Sequence, residues 1–152
     1  VHAFLAADLP ILAREQRLDR ASRLLAASQL LDVLAPESLL TAGDHLRAWV
    51  ESRWPGAIWH REVPLRAALA SEHGARHIAG TVDLLLELPE GVILIDHKSY
   101  PGREESWRAK AAEYAPQLAA YSEALKLAGK VVLEQWIHFT LGGGAVRLAA
   151  ET

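Results

Sequence analysis

Apolar residues along this chain change their spacing near residue 56, and the change divides it into a helical part and a strand-rich part. Upstream, Leu18, Ala21, Leu24 and Leu25, continuing through Ser28 to Leu31, recur at the three-to-four spacing of a helix with one buried stripe. Arg17, Arg20 and Arg23 fall mostly off that stripe. Pro36-Glu37-Ser38 restarts the chain, and Leu39, Leu40, Leu46, Trp49 and Val50 mark a second helix ending near Trp54-Pro55-Gly56. Val1–Ala7 reads as a helix already under way. Downstream, Ile58–Leu69 alternates loosely and Ala75–Leu88 predicts a second strand. Pro89-Glu90-Gly91 then makes a tight turn into a third strand, Val92–Lys98. After a break at Tyr100-Pro101-Gly102, an alanine-rich helix runs from Trp107 to Leu127 with Gly129 as its cap. Pro116 either kinks that helix or divides it. Val131–Leu141, a glycine turn at 142–144 and Ala145–Leu148 close the pattern. The expected fold is α/β, a mixed β-sheet flanked by helices with an N-terminal helical segment. It forms one domain, helical over 1–55 with a core over 56–152.

A chain of 152 residues that is 51% hydrophobic can bury a substantial core. No apolar run reaches the roughly 18 residues of a membrane span, so a soluble protein without a membrane partner is expected. With no cysteine, disulfides, zinc–thiolate sites and an iron–sulfur cluster are excluded, in keeping with a cytoplasmic location. The chain has no methionine and opens on Val1, which reads as a piece of a larger polypeptide, a terminal domain. A formal net charge of −3 gives no overall basic signature of nucleic-acid binding, though an acidic metal site and local basic patches can coexist with one.

The chemistry concentrates in Gly80–Glu87 and Gly91–Lys98. Buried charges without partners are costly, and a buried strand has no reason of its own to carry Asp96, His97 and Lys98 in succession. Alternation along a strand projects Asp96 and Lys98 to one face and His97 to the other. A hairpin turn separates Asp83 from Asp96, so the two carboxylates can converge on one cation across adjacent strands. Hard oxygen ligands suit Mg²⁺ or Mn²⁺, bound through one or two carboxylates together with substrate phosphate. Lys98 would orient or help deprotonate an attacking water, or neutralise charge building on the phosphate. The reaction served would be phosphodiester hydrolysis. A surface ion pair of strand-end residues is the plainer alternative, and the apolar flanks argue against it.

Gly80-x-x-Asp83, Asp96-x-Lys98 and Gln117-x-x-x-Tyr121, in that order, resemble the PD-(D/E)XK nuclease superfamily. Within it they are most similar to the RecB/AddA-type nuclease domain at the C-terminus of UvrD-like DNA helicases. The resemblance implies a restriction-endonuclease-like core and an exonuclease-type, Mg²⁺- or Mn²⁺-dependent deoxyribonuclease acting in double-strand-break processing and recombinational repair. DNA would arrive as a single strand delivered by helicase domains of the same chain, with or without a second subunit. Asp83 and Asp96 would be metal ligands, the His97 backbone carbonyl a further one, and Lys98 the catalytic lysine. Gln117 and Tyr121, one helical turn apart, would support the site or touch the strand; packing against the sheet is the alternative for them. The family's N-terminal metal-binding histidine falls on His2, with His45 as its competitor. Glu62 resembles the glutamate ahead of the first core strand, supporting the site or capping an edge rather than ligating directly.

Two positions depart from the family pattern. His97 stands where Tyr or Phe is usual, a change expected to alter packing more than catalysis, and Ser99 stands where Thr is usual. Related AddB-type and CRISPR-associated exonucleases carry a four-cysteine iron–sulfur cluster, so the absence of cysteine resembles the helicase-fused branch instead. Arg103, Trp107, Arg108 and Lys110 are the residues expected to meet phosphates and bases, or else simply a solvated helix start. His60, His73, His77 and His138 are expected to be solvated strand residues. A free-standing endonuclease and an inert domain used for DNA guidance or docking are the competing functions.

Overall fold

The computed structural model describes residues 1–9, 11–71 and 74–149. A short helix α1 (His2–Ala7) precedes α2 (Arg14–Ala27) and α3 (Pro36–Arg53). Two long strands, β1 (Ile58–Ser71) and β2 (Gly74–Leu88), lead to β3 (Gly91–Lys98). Helix α4 (Glu104–Leu127) crosses over to β4 (Val132–Phe139) and β5 (Gly144–Arg147). The sheet has the order β1-β2-β3-β4-β5, antiparallel throughout except for the parallel β3–β4 pair that the α4 crossover joins. This is the expected mixed sheet flanked by helices.

Helices cover both faces of the sheet, and that explains the composition of β3. Val92 through His97 are buried without interruption, as a central strand between two layers requires. On one face Ile93 and Ile95 pack with Leu84, Leu86, Phe4, Leu5, Leu39, Leu46 and Val50. On the other, Leu94 and Val92 pack with Leu85, Leu118, Ala124 and Leu125 of α4 and with Ile137 and Phe139. Each such aliphatic burial contributes about 1.5–3 kcal/mol.

Alternation along β1 and β2 breaks at one cross-strand pair. Leu84 and Leu86 face α1–α3, whereas Val82 and Ile78 join the α4 side. The ladder runs from Arg61↔Leu84 to Val63↔Val82 and skips Glu62 and Asp83 between them. Glu62 has φ +52°, a conformation that is costly for a residue with a Cβ, and this local twist reorients both strands.

Helix boundaries differ from the periodicity at two places. Helix α2 ends at Ala27, four residues before Leu31, and Gln29 at φ +56° turns the chain back. Helix α4 begins at Glu104 and continues through Pro116 as one element. Pro116 and Ala112 are both exposed, so the carbonyl deprived of its helical partner faces water.

An ion cluster fastens α1. Arg17, 9% exposed, donates Nε and Nη2 to the two oxygens of Asp8, each at 2.8 Å, and Nη2 reaches Asp44 Oδ1 at 2.7 Å. Gly43, in the middle of α3, leaves the room: a Cβ there would come within 2.6 Å of Asp8 Oδ2. Among the described residues no helix is long and apolar enough to cross a membrane.

Candidate active site

Asp83 and Asp96 follow directly on the last cross-strand pair of β2 and β3. The ladder ends at Leu84↔Ile95, and continuing its register would bring Asp83 against Asp96. Cross-strand partners in an antiparallel pair point to the same face with Cβ atoms about 4.5–5.5 Å apart. Both carboxylates therefore lie at the point where β2 and β3 cease to pair.

Each is held by a different device. Asp83 Oδ2 accepts a hydrogen bond from the His97 backbone N–H at 2.7 Å, and His2 Nδ1 lies 3.7 Å from the same oxygen. The side chain of Asp96 is 6% exposed, and Lys98 Nζ stands 2.6 Å from its Oδ2. That ion pair is the charged partner the structure gives the nearly buried Asp96 carboxylate among the described residues. Burial is the main cause that raises both carboxyls above their ordinary range. For Asp83 the His97 N–H, His2 and Lys98 pull the other way and Glu62 adds to the rise. For Asp96 Lys98 and His2 oppose it, and Asp83 adds to it. Two carboxyls, both raised by burial and one raised further by the other, suit a hard cation.

The residues fit such an ion as an open site. Among the described residues no three His, Cys, Asp or Glu side chains form a ready metal cage. Mg²⁺ keeps several waters and needs only one or two carboxylates plus phosphate, so Asp83 and Asp96 meet its minimum and His2 adjoins them.

His97 turns its ring to the opposite face from Asp96 and Lys98, as strand alternation requires. There it meets an unexpected partner. His138 is buried, not solvated, and its Nδ1 lies 3.0 Å from His97 Nδ1. Burial lowers the His97 imidazole well below its ordinary value and that of His138 to about 4, so at neutral pH both are uncharged. One Nδ1 then donates to the other. His138 stacks on Trp49 at 5.8 Å, and His97 meets the His2 ring edge-on at 6.1 Å. The parallel register His97↔His138 places the two rings side by side on β3 and β4. Polar residues at matched depth in two buried strands are the signal that sequence reading missed.

Gln117 and Tyr121 share a face of α4, and Gln117 Nε2 donates to the Tyr121 hydroxyl at 3.0 Å. Tyr121 packs against Gly80, where a Cβ would overlap its hydroxyl and ring. Tyr114, one turn earlier on the same helix, carries Lys98 Nζ 4.6 Å from its ring centroid. Its 3.6-residue phase with Gln117 and Tyr121 could have singled it out.

Other candidates stand elsewhere. His45 is exposed on α3, its Nδ1 3.5 Å from where a Cβ on Gly143 would sit. Glu62 is exposed beside Asp83. Trp107 is engaged in packing: it stacks on Phe139 at 5.3 Å and donates Nε1 to the Gly102 carbonyl. Arg103 and Arg108 are exposed, and Lys110 pairs with Glu113 at 2.6 Å. His60 has a partner, Glu87, at 2.7 Å, and His77 is exposed. His73 lies outside the described residues.

The sequence profile of the PD-(D/E)XK nuclease superfamily matches residues 1–150, nearly the whole chain. The chain belongs to the PD-(D/E)XK nuclease superfamily. No curated protein matches it. Membership in a PD-(D/E)XK family implies a nuclease, generally metal-dependent, and the mixed sheet agrees with its restriction-endonuclease-like fold.

Proposed function

We propose that this chain is a Mg²⁺- or Mn²⁺-dependent deoxyribonuclease domain in which Asp83, Asp96, His2 and the His97 carbonyl hold the metal and Lys98 is the catalytic lysine. The position of Asp83 and Asp96 directly past the Leu84↔Ile95 pair, with Lys98 2.6 Å from Asp96, supports this reading. A bound divalent ion would supply Lewis acidity toward the scissile phosphate. The residues of the chain do the rest. The His97 N–H fixes the Asp83 carboxylate so that it need not reorganise. Lys98, an ammonium beside Asp96, donates to a phosphoryl oxygen or to the attacking water. Gln117 and Tyr121 border the site from α4 and support the strand.

The order of motifs from Gly80 to Tyr121 further supports an exonuclease-type domain of the RecB/AddA kind, fed single-stranded DNA by a helicase in break processing. On this reading 1–55 is the helical part that presents His2 and 56–152 the catalytic core.

The experiment compares cleavage of single-stranded DNA by the chain with that by Asp96→Ala and Lys98→Ala, with Mg²⁺, Mn²⁺ or chelator. Metal-dependent cleavage lost in both variants is expected. No metal-dependent cleavage by the wild-type chain, even when fused to a motor, overturns the catalytic reading. Equal cleavage of free and motor-fed strands would overturn the helicase reading alone.

A further inference from the structure

We propose that Tyr114 is a positioning residue that keeps the Lys98 ammonium in place during phosphodiester cleavage, a role that rests on the nuclease reading above. Helix α4 brings Tyr114 to the Lys98 end of β3, where Nζ lies 4.6 Å from the ring centroid. The same ammonium stands 2.6 Å from Asp96 Oδ2. Lys98 thus has two partners of different kinds, a carboxylate and a π-face. The reaction weakens the first of them, because an Asp96 engaged with a cation holds a neighbouring ammonium less strongly.

A lysine side chain has four rotatable bonds, and an ammonium released by its carboxylate spreads over many rotamers. The tyrosine ring is uncharged and does not compete for the cation, so it remains a partner before and after metal binding. Its attraction is of the size needed to decide the matter. Loss of a partly desolvated cation–π contact lowers the population of the held state by roughly 3- to 30-fold. Lys110 also approaches this ring, its Nζ 5.6 Å from the centroid, but has its own carboxylate in Glu113 at 2.6 Å and a second ring in Tyr100. Lys98 is therefore the cation whose placement depends on Tyr114.

The test joins a spectroscopic and a kinetic readout. In the wild-type chain the ring current of Tyr114 shifts the Lys98 ε-methylene proton resonances upfield. Tyr114→Leu abolishes that shift, and kcat for single-stranded DNA with Mn²⁺ falls roughly 3- to 30-fold with KM little changed. Tyr114→Phe, which keeps the π-face, restores most of both. Phenylalanine with one, two and three ring fluorines at position 114 keeps the volume while weakening the face, and log kcat falls stepwise along the series. This series decides the matter if Tyr114→Leu does not fold. A flat fluorinated series, or a Tyr114→Phe variant as impaired as Tyr114→Leu, overturns the proposal while the nuclease reading stands. No metal-dependent cleavage by the wild type overturns both.

Discussion

Gly80 lies so close beneath Tyr121 that a single added methyl would overlap the phenol. Two motif positions separated by forty residues of sequence thus form one contact. Gly80 is on β2 three residues ahead of Asp83, so the contact ties α4 to the strand that carries a proposed ligand. The obstructing atoms belong to a rigid ring that is 8% exposed, which leaves little room to move aside. Gly80→Ala is expected to destabilise the chain by about 1–3 kcal/mol in urea denaturation. Combined with Tyr121→Ala it should cost less than the sum of the two single changes, since the clash is gone. Additive penalties would show that the ring is not what makes Gly80 necessary.

The His97–His138 pair makes stability depend on pH. Folding lowers the His138 imidazole from 6.5 to about 4, so between those values the unfolded chain binds the proton and the folded chain does not. Stability then rises with pH across this window and is lost as pH falls through it, by roughly 3 kcal/mol at most for this one group. His97, lowered in the same direction, adds to the slope. His138→Phe is expected to flatten the pH dependence of the unfolding free energy between about pH 4 and 6.5. An unchanged slope would mean that His138 titrates alike in both states.

The sheet and its two helical layers were legible because each rests on a local rule, strand alternation and turn chemistry at Pro89–Gly91, and the Asp96–Lys98 contact because residues two apart on a strand share a face. The His97–His138 contact was not, since parallel pairing of β3 with β4 is set by the α4 crossover and leaves no mark in either strand alone. Nor was Trp107, whose packing on Phe139 depends on the Gly142–Gly144 turn lying against its ring. Helix α4 ran through Pro116 because burial of Ala111, Leu118 and Leu125 on one face outweighs one lost hydrogen bond on the other.

Arg17 decides where α1 sits. Its guanidinium joins Asp8, just past the end of α1, to Asp44 on α3, and Arg20 donates to the Ala7 carbonyl at 2.6 Å. Removing one partner of a buried pair leaves the other charge uncompensated, at a cost of about 3–5 kcal/mol. Arg17→Ala should fall in that range by denaturation and should raise hydrogen exchange in α1 first. Arg17→Met, which keeps the stem packing, is expected to lose less. Equal loss in both would assign the effect to charge alone.

On the proposed metal-binding role, Asp96 opposes stability in the metal-free chain and supports the metal-bound one. Burial raises its carboxyl despite Lys98, so the folded chain holds this proton more tightly than the unfolded chain does. Its contribution to stability therefore grows as pH falls through the raised value and disappears above it. Asp96→Asn removes that burden: with chelator present at pH 8 the variant is expected to unfold no earlier than wild type, the gap closing toward pH 4. Added Mg²⁺ reverses the order. An ion bound only by the folded chain stabilises it by mass action, so the wild-type Tm rises with Mg²⁺ concentration and the Asp96→Asn Tm stays flat. Parallel rises in both would place the ion elsewhere on the surface.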